Sequence, residues 1–116
     1  MIDVLLIYPY VDLSKNNSIF RFPPLGLGYI AAYLKKNGFS VKIIDATFQG
    51  EDRAIEESKK QSPRVLGIYS MFTMKQGSLR FAEALRDNCE LSIMGGPLPS
   101  VEPESFLDFV YVVAVV

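Results

Sequence analysis

The stretch GLGYIA, residues 26–31, fits the pattern G-x-G-x-x-G/A, the fingerprint of a loop that binds a dinucleotide pyrophosphate. In dinucleotide-binding domains the glycines follow directly after the first strand, in the tight turn into the first helix. Here the apolar run VLLIY, residues 4–8, predicts the first strand, and residues 9–25 separate it from Gly26. This separation favours a helix start, with Gly28 and Ala31 small so that helix and sheet pack closely, over an NAD or FAD site.

Strand-like and helix-like segments alternate along the chain on both sides of this stretch. One helix face is predicted from four apolar residues at helical spacing: Leu27, Ile30, Ala31 and Leu34. Asn37-Gly38 predicts the end of that helix. The predicted strands are residues 4–8, 41–45, 65–70, 91–94 and 110–116, and the later helices are residues 51–61, 76–88 and 103–109. Such alternation predicts an α/β fold with a parallel sheet and helices on both faces.

The composition indicates one ordinary globular domain. The chain has 116 residues, 49% of them hydrophobic, and a formal net charge of −1. It has no basic stripe, which argues against a nucleic-acid partner. The longest apolar run, residues 110–116, is far shorter than the ~20 residues that span a bilayer. The start of the chain lacks the basic segment of a signal peptide, so we expect a cytoplasmic location.

The histidine and cysteine content limits the chemistry that residues 1–116 can perform. The chain contains no histidine, which excludes a Ser-His-Asp triad, a histidine metal site and a histidine proton shuttle built from this chain alone. The single cysteine, Cys89, excludes an intrachain disulfide and a cysteine cluster within residues 1–116.

The residues after the predicted strands are candidates for a binding site, because ligands of open α/β sheets bind at the carboxyl ends of the strands. Small, hydroxyl and glycine residues dominate there: Pro9, Tyr10, Ser70, Thr73, Gly95, Gly96 and Pro97. This chemistry predicts a large, mostly apolar ligand that approaches the backbone closely. Two alternatives remain open. In the first, the hydroxyls of Ser70 and Thr73 cap the following helix. In the second, Gly95-Gly96 forms only a tight turn.

Other families with this architecture fit the residues poorly. A phosphoacceptor receiver domain needs clustered acids after the first strand and an Asp at the end of the third. Those places hold Pro9 and Ser70. A flavodoxin needs a glycine-containing phosphate loop after the first strand, and the segment SKNNS, residues 14–18, has no glycine.

The chain resembles the N-terminal cobalamin (B12)-binding domain of B12-dependent radical SAM proteins. The resemblance is carried by VLLIYP at residues 4–9, PPLGLGYIAAYL at 23–34, GFSV at 38–41, DA at 45–46, GIYS at 67–70 and MGGP at 94–97. It covers essentially the whole chain. The chain is similar in particular to members related to the anaerobic magnesium-protoporphyrin monomethyl ester oxidative cyclase.

The resemblance implies a flavodoxin-like Rossmann sandwich of three layers, whose five-stranded parallel sheet has the order 2-1-3-4-5. It implies a cobalamin over the carboxyl ends of the strands. The loop of residues 9–17, with Pro9 and Tyr10, would lie near the corrin. Ser70 and Thr73 would contact the nucleotide tail or corrin side chains. The three residues that would line the tail channel are Gly95, Gly96 and Pro97.

The resemblance also sets expectations for the whole protein. Classical cobalamin domains ligate cobalt through the histidine of Asp-x-His-x-x-Gly, so a chain without histidine implies base-off cobalamin with no protein histidine on cobalt. The Cys-x-x-x-Cys-x-x-Cys motif of a [4Fe-4S] cluster is absent. We therefore expect residues 1–116 to be catalytically inert alone, and S-adenosylmethionine and the cluster to belong to a downstream radical SAM domain.

That downstream domain would be the partner of residues 1–116. A helix that closes the fold after the fifth strand is missing from the sequence, so we expect residues 1–116 to be the N-terminal part of a longer radical SAM protein. The whole enzyme would perform methyl transfer or oxidative cyclisation. The alternative is a structural domain with a vacant site that docks the catalytic domain without binding B12.

Overall fold

A computed structural model of the chain describes residues 2–9, 25–71, 74–110 and 112–113. It contains five parallel strands in the order β2-β1-β3-β4-β5, which confirms the predicted topology. The strands are β1 (Val4–Tyr8), β2 (Val41–Asp45), β3 (Val65–Tyr69), β4 (Leu91–Gly95) and β5 (Val112–Val113). Residues 111 and 114–116 of the predicted fifth strand lie outside the described residues.

Strand β1 lies between β2 and β3, and both of its faces are covered. All five of its residues are buried, as expected of a continuous apolar run in a parallel sheet. Leu5 and Ile7 pack in a core with residues of the helices after β2 and β3, whereas Leu6 and Tyr8 pack with residues of the helix after β1. The alternation of side chains along β1 therefore joins two cores.

Within the described ranges, five α-helices accompany the sheet: α1 (Leu25–Lys36), α2 (Ala46–Gln49), α3 (Glu51–Gln61), α4 (Lys75–Ala84) and α5 (Pro97–Val101). Helix α1 ends as predicted. The Gly38 amide donates to the Lys35 carbonyl and the Phe39 amide to the Leu34 carbonyl, both at 3.1 Å. This is the Schellman pattern, and Gly38 adopts the positive φ of 90° that it requires.

Two predictions about α1 were wrong. Ile30 was expected on the core face but is 49% exposed, because the buried stripe is narrow and runs through Leu27, Ala31 and Leu34. Gly28 was expected to be small for close packing, yet a Cβ built there meets no described atom within 4 Å. Ala31, which is 5% exposed, is the small residue that packs against the sheet.

Other helix boundaries also differ from the predictions. Helix α2 was not predicted, and the helix predicted at residues 76–88 is α4 followed by a 3-10 turn, Arg86–Asn88. The helix predicted at residues 103–109 is a 3-10 turn, Pro103–Ser105, while α5 occupies the segment that was expected to be a loop. The reason is proline: Pro97 suits a first helical turn, and Pro103 disfavours helical geometry at Glu102, which has φ −138° and ψ 64°.

The amino-terminal ends of β1 and β2 are joined by a hydrogen-bonded pair. The Asp3 carboxylate accepts from the Ser40 amide at 2.8 Å and from the Ser40 hydroxyl at 3.1 Å, and the Asp3 amide donates to that hydroxyl at 2.8 Å. These bonds to Ser40 hold the pKa of Asp3 below its ordinary value of 3.8. A carboxyl whose pKa is lower in the folded state stabilises the fold above its unfolded pKa, and this contribution is lost as the pH falls through the folded value.

We therefore predict that Asp3→Asn lowers the free energy of unfolding at pH 7, and that its difference from the wild type shrinks as the pH falls below 3.8. Urea unfolding at a series of pH values measures this. Asp108→Asn, at an exposed residue in the turn before β5, is the control and should keep the pH dependence of the wild type. A difference between Asp3→Asn and the wild type that stays constant down to pH 2 would contradict the assignment.

Candidate functional site

The carboxyl ends of β1, β2, β3 and β4 lie along one edge of the sheet. Tyr8 is in register with Asp45 across β1 and β2, and Tyr69 is in register with Gly95 across β3 and β4. This edge carries hydroxyl groups, glycines and ring faces. Asp45 is the acidic residue among these strand ends, and its carboxylate accepts from the Thr47 amide at 3.0 Å, so it caps α2.

Two tyrosines stack on the α1 side of this edge. The rings of Tyr8 and Tyr69 have centroids 5.4 Å apart and an interplanar angle of 28°. Tyr8 is 8% exposed, and burial raises its pKa, with smaller contributions from Tyr69 and Asp45. Tyr8 therefore stays a neutral phenol at physiological pH, which keeps this part of the edge apolar.

Ser70 follows β3 directly and is held at three of its atoms. Its amide donates to the Gly95 carbonyl at 2.8 Å, and its carbonyl lies against the backbone of Gly96. Its hydroxyl oxygen is 2.7 Å from the hydroxyl oxygen of Ser78, on α4, and both serines are fully buried. A ligand can reach the Ser70 hydroxyl only if neighbouring segments move apart.

Gly96 occupies a position that other residues enter only with strain. Its φ of 115° and ψ of −174° lie in a region that glycine alone populates readily. A Cβ at this position would lie 2.5 Å from the Ser70 carbonyl oxygen and 3.1 Å from two ring carbons of Tyr69. The alternative of a tight turn is therefore sufficient to explain Gly96, and it also brings the backbones after β3 and β4 into contact.

The structure brings together Ser70, Gly95 and Gly96 of the predicted site residues. Pro9 is fully buried after β1, and Pro97 is the exposed first residue of α5. Tyr10 and Thr73, with the rest of the loop at residues 10–17, lie outside the described residues. Whether any of these residues contacts a ligand stays a prediction.

The alternative that Ser70 caps the following helix is wrong. Met74 is the N-cap residue of α4, without a side-chain capping bond, and the Ser70 hydroxyl meets Ser78 instead.

Sequence reasoning missed Tyr69 and Ser78 as parts of this edge. The strand alternation that pairs Tyr69 with Tyr8 on one face was a usable signal for Tyr69. The separation of eight residues between the two serines carries no signal without the geometry of the turn.

The described part of the chain lacks the side-chain clusters and the long apolar helices that would indicate a metal site or a membrane span. It contains no group of three or more Cys, Asp or Glu side chains placed to hold a metal ion. Cys89 is half-buried, burial raises the pKa of its thiol, and its sulfur lies 3.6 Å from the Leu85 carbonyl oxygen. None of the helices within the described ranges has the length and apolar character that a bilayer crossing requires.

The B12 binding domain family matches residues 16–116. The chain belongs to this family. The match covers most of the chain, includes the carboxyl ends of β2, β3 and β4, and confirms the cobalamin-binding part of the resemblance. It supports cobalamin as the cofactor. The described strand ends carry mostly hydroxyl groups, ring faces and glycines, and the carboxylate of Asp45 caps α2; this fits a corrinoid, whose amide and nucleotide groups hydrogen-bond to neutral partners.

A curated protein is also similar to this chain. It is cytidylyl-2-hydroxyethylphosphonate methyltransferase of Streptomyces wedmorensis, which is 29% identical over 127 residues. The alignment covers 90% of this chain and 24% of that protein, so the chain spans about a quarter of its relative. No solved structure matches the chain significantly.

The close approach at Gly96 predicts that Gly96→Ala destabilises the fold. The positive φ and the contact with the Ser70 carbonyl together should cost roughly 2–4 kcal/mol of the free energy of unfolding, measured in urea. Gly28→Ala is the control, because a Cβ there meets no described atom within 4 Å. In the α1 interior it should stabilise the fold by about 0.5–1 kcal/mol. Equal effects of the two substitutions would contradict this account of Gly96.

Proposed function

We propose that this domain binds cobalamin at the carboxyl edge of its sheet, as the cofactor module of a B12-dependent radical SAM enzyme. The observation that carries the proposal is the family match over residues 16–116, on a sheet of the order 2-1-3-4-5. The edge after β1, β3 and β4 supports it, since ligands of open α/β sheets bind there.

The described residues have separate roles in this proposal. Pro9 lies near the corrin, and Ser70 meets the nucleotide tail. Gly95, Gly96 and Pro97 line the channel that admits the tail. Because Ser70 is fully buried, the tail reaches its hydroxyl only where the neighbouring segments move apart. Tyr10 and Thr73 are proposed neighbours of the corrin and the tail, as the resemblance implies.

Cobalt receives no histidine ligand from this chain, because the sequence has none. We propose that cobalamin is bound base-off, with its own benzimidazole in the tail channel. When bound, cobalamin supplies redox-active cobalt chemistry that includes methyl transfer. The residues of this chain bind the cofactor and orient it through the tail.

The reaction of the whole protein is proposed from the relative. That relative is a methyltransferase, and this chain corresponds to about a quarter of it. The relative's activity favours methyl transfer over the oxidative cyclisation of the magnesium-protoporphyrin group. We propose a further domain that holds S-adenosylmethionine and a [4Fe-4S] cluster, and a cytoplasmic location.

A second candidate function is favoured by one observation, the complete burial of Ser70. If the segments over Ser70 never open, the domain retains the fold and serves only to dock and shape a catalytic domain. Cobalamin retention separates the two candidates.

We predict that the whole product of the gene that carries this sequence retains about one equivalent of hydroxocobalamin after dialysis, with a shifted visible spectrum. Loss of all cobalamin on dialysis would exclude the cofactor role and leave the docking function.

The tail channel makes a sharper prediction at its exposed rim. Pro97→Glu places a carboxylate beside the anionic phosphodiester of the tail, so it should raise the dissociation constant for hydroxocobalamin roughly tenfold at low salt and less at high salt. Val101→Glu, at a position 77% exposed at the other end of α5, is the matched control and should bind like the wild type. Equal weakening by both variants would contradict the placement of the channel.

A further inference from the structure

The buried hydroxyls of Ser70, after β3, and Ser78, on α4, form a hydrogen-bonded series that ends on the Lys75 backbone carbonyl. The Ser70 and Ser78 hydroxyl oxygens are 2.7 Å apart, and Ser78 Oγ donates to the Lys75 carbonyl oxygen at 2.9 Å. Both serines are 0% exposed, so water does not compete for these groups. Each hydroxyl has one hydrogen to donate and two lone pairs to accept.

The direction of the hydrogen bonds follows from the Lys75 carbonyl at the end of this series. The Lys75 carbonyl can only accept, so Ser78 donates its single hydrogen there. Ser70 must then donate to Ser78 if both buried hydrogens are to be satisfied, as buried polar groups normally are. In this state the Ser70 hydroxyl has lone pairs to offer a ligand but no hydrogen.

The nucleotide tail of a base-off corrinoid needs a hydrogen-bond donor instead. Its phosphate oxygens and its metal-free benzimidazole nitrogen only accept hydrogen bonds, so they require a hydrogen from Ser70. Ser70 can supply it if Ser78 rotates its own hydrogen from the Lys75 carbonyl to Ser70. That carbonyl belongs to the first residue of α4, so it keeps the helical amide donor four residues on, and the rotation leaves no buried acceptor without a partner.

We infer that Ser78 is a positioning residue for the nucleotide tail: it holds the Ser70 hydroxyl in place and, by switching its own hydrogen, makes Ser70 a donor to the tail. This inference rests on the proposed function. Ser78 does not touch the ligand and acts only through Ser70. The benefit is cooperative, because a hydroxyl that accepts a hydrogen bond becomes a better donor.

The test compares two corrinoids that differ only in the tail. Hydroxocobalamin carries the nucleotide, whereas aquohydroxocobinamide lacks it and keeps the corrin ring with its amide side chains. Dissociation constants for both are measured by absorbance titration on the whole gene product. The variants are Ser70→Ala, Ser78→Ala, their combination and Ser58→Ala.

Ser78→Ala should raise the dissociation constant for hydroxocobalamin about three- to tenfold, because Ser70 then loses the partner that holds its hydroxyl in place and strengthens it as a donor. The constant for the cobinamide should change less than twofold, because the cobinamide has no group for Ser70 to meet. The Ser70→Ala/Ser78→Ala double variant should bind no more weakly than Ser70→Ala alone, since Ser78 acts through Ser70.

Ser58→Ala is the matched control. Ser58 is also 0% exposed on a helix, and its hydroxyl donates to the Ala54 carbonyl at 2.7 Å, but it lies on α3. It should change neither dissociation constant. Ser78→Cys, which keeps the volume and loses most of the hydrogen bond, should behave like Ser78→Ala and replaces it if the alanine variant does not fold.

The outcomes separate the two claims. A wild type that holds neither corrinoid overturns the proposed function and the inference with it. A wild type that holds hydroxocobalamin while Ser78→Ala weakens both corrinoids equally, or neither, overturns only the positioning role. Additive losses in the double variant also overturn it, because Ser78 would then act independently of Ser70.

Discussion

Burial of β1 on both faces is the constraint from which the position of the site follows. The apolar run Val4–Tyr8 can be covered only if strands pair on either side of it and helices pack above and below. Strands β2 and β3 take those places in parallel, so their carboxyl ends align with the end of β1. The site edge is therefore a consequence of how this one strand is buried.

The second constraint is the contact between the chain segments after β3 and β4. The Ser70 amide donates to the Gly95 carbonyl, and Gly96 lies against the Ser70 carbonyl without a side chain between them. Since Gly96 is also the residue before α5, the contact determines where that short helix begins. Binding of a tail between these segments would have to loosen a contact that the fold itself uses.

Much of this architecture could be predicted from the sequence, because strand patterns are local. The four strands with full described bounds coincide with the predicted ones to within one residue, and the order of the sheet followed from the resemblance. Helix α5 could not be foreseen, since its start depends on Pro97 and its end on the effect of Pro103 on Glu102. Ile30 was misplaced because periodicity locates a helix face but does not give the width of its buried stripe.

The candidate site was predicted less completely, for a physical reason. Ser70, Gly95 and Gly96 were found because the ends of parallel strands share an edge, whatever the loops do. Ser78 was missed because its contact with Ser70 depends on the path of the turn into α4. Contacts of that kind are tertiary, and no periodic pattern in the chain records them.

The central claim is that this edge, without a histidine, holds cobalamin. A crystal structure of the whole gene product grown with hydroxocobalamin tests it most directly. The account predicts the corrin over the carboxyl ends of β1, β3 and β4, the benzimidazole within reach of Ser70, and no side-chain nitrogen of this chain on cobalt. A corrinoid bound elsewhere, or an empty edge at saturating cofactor, would contradict it.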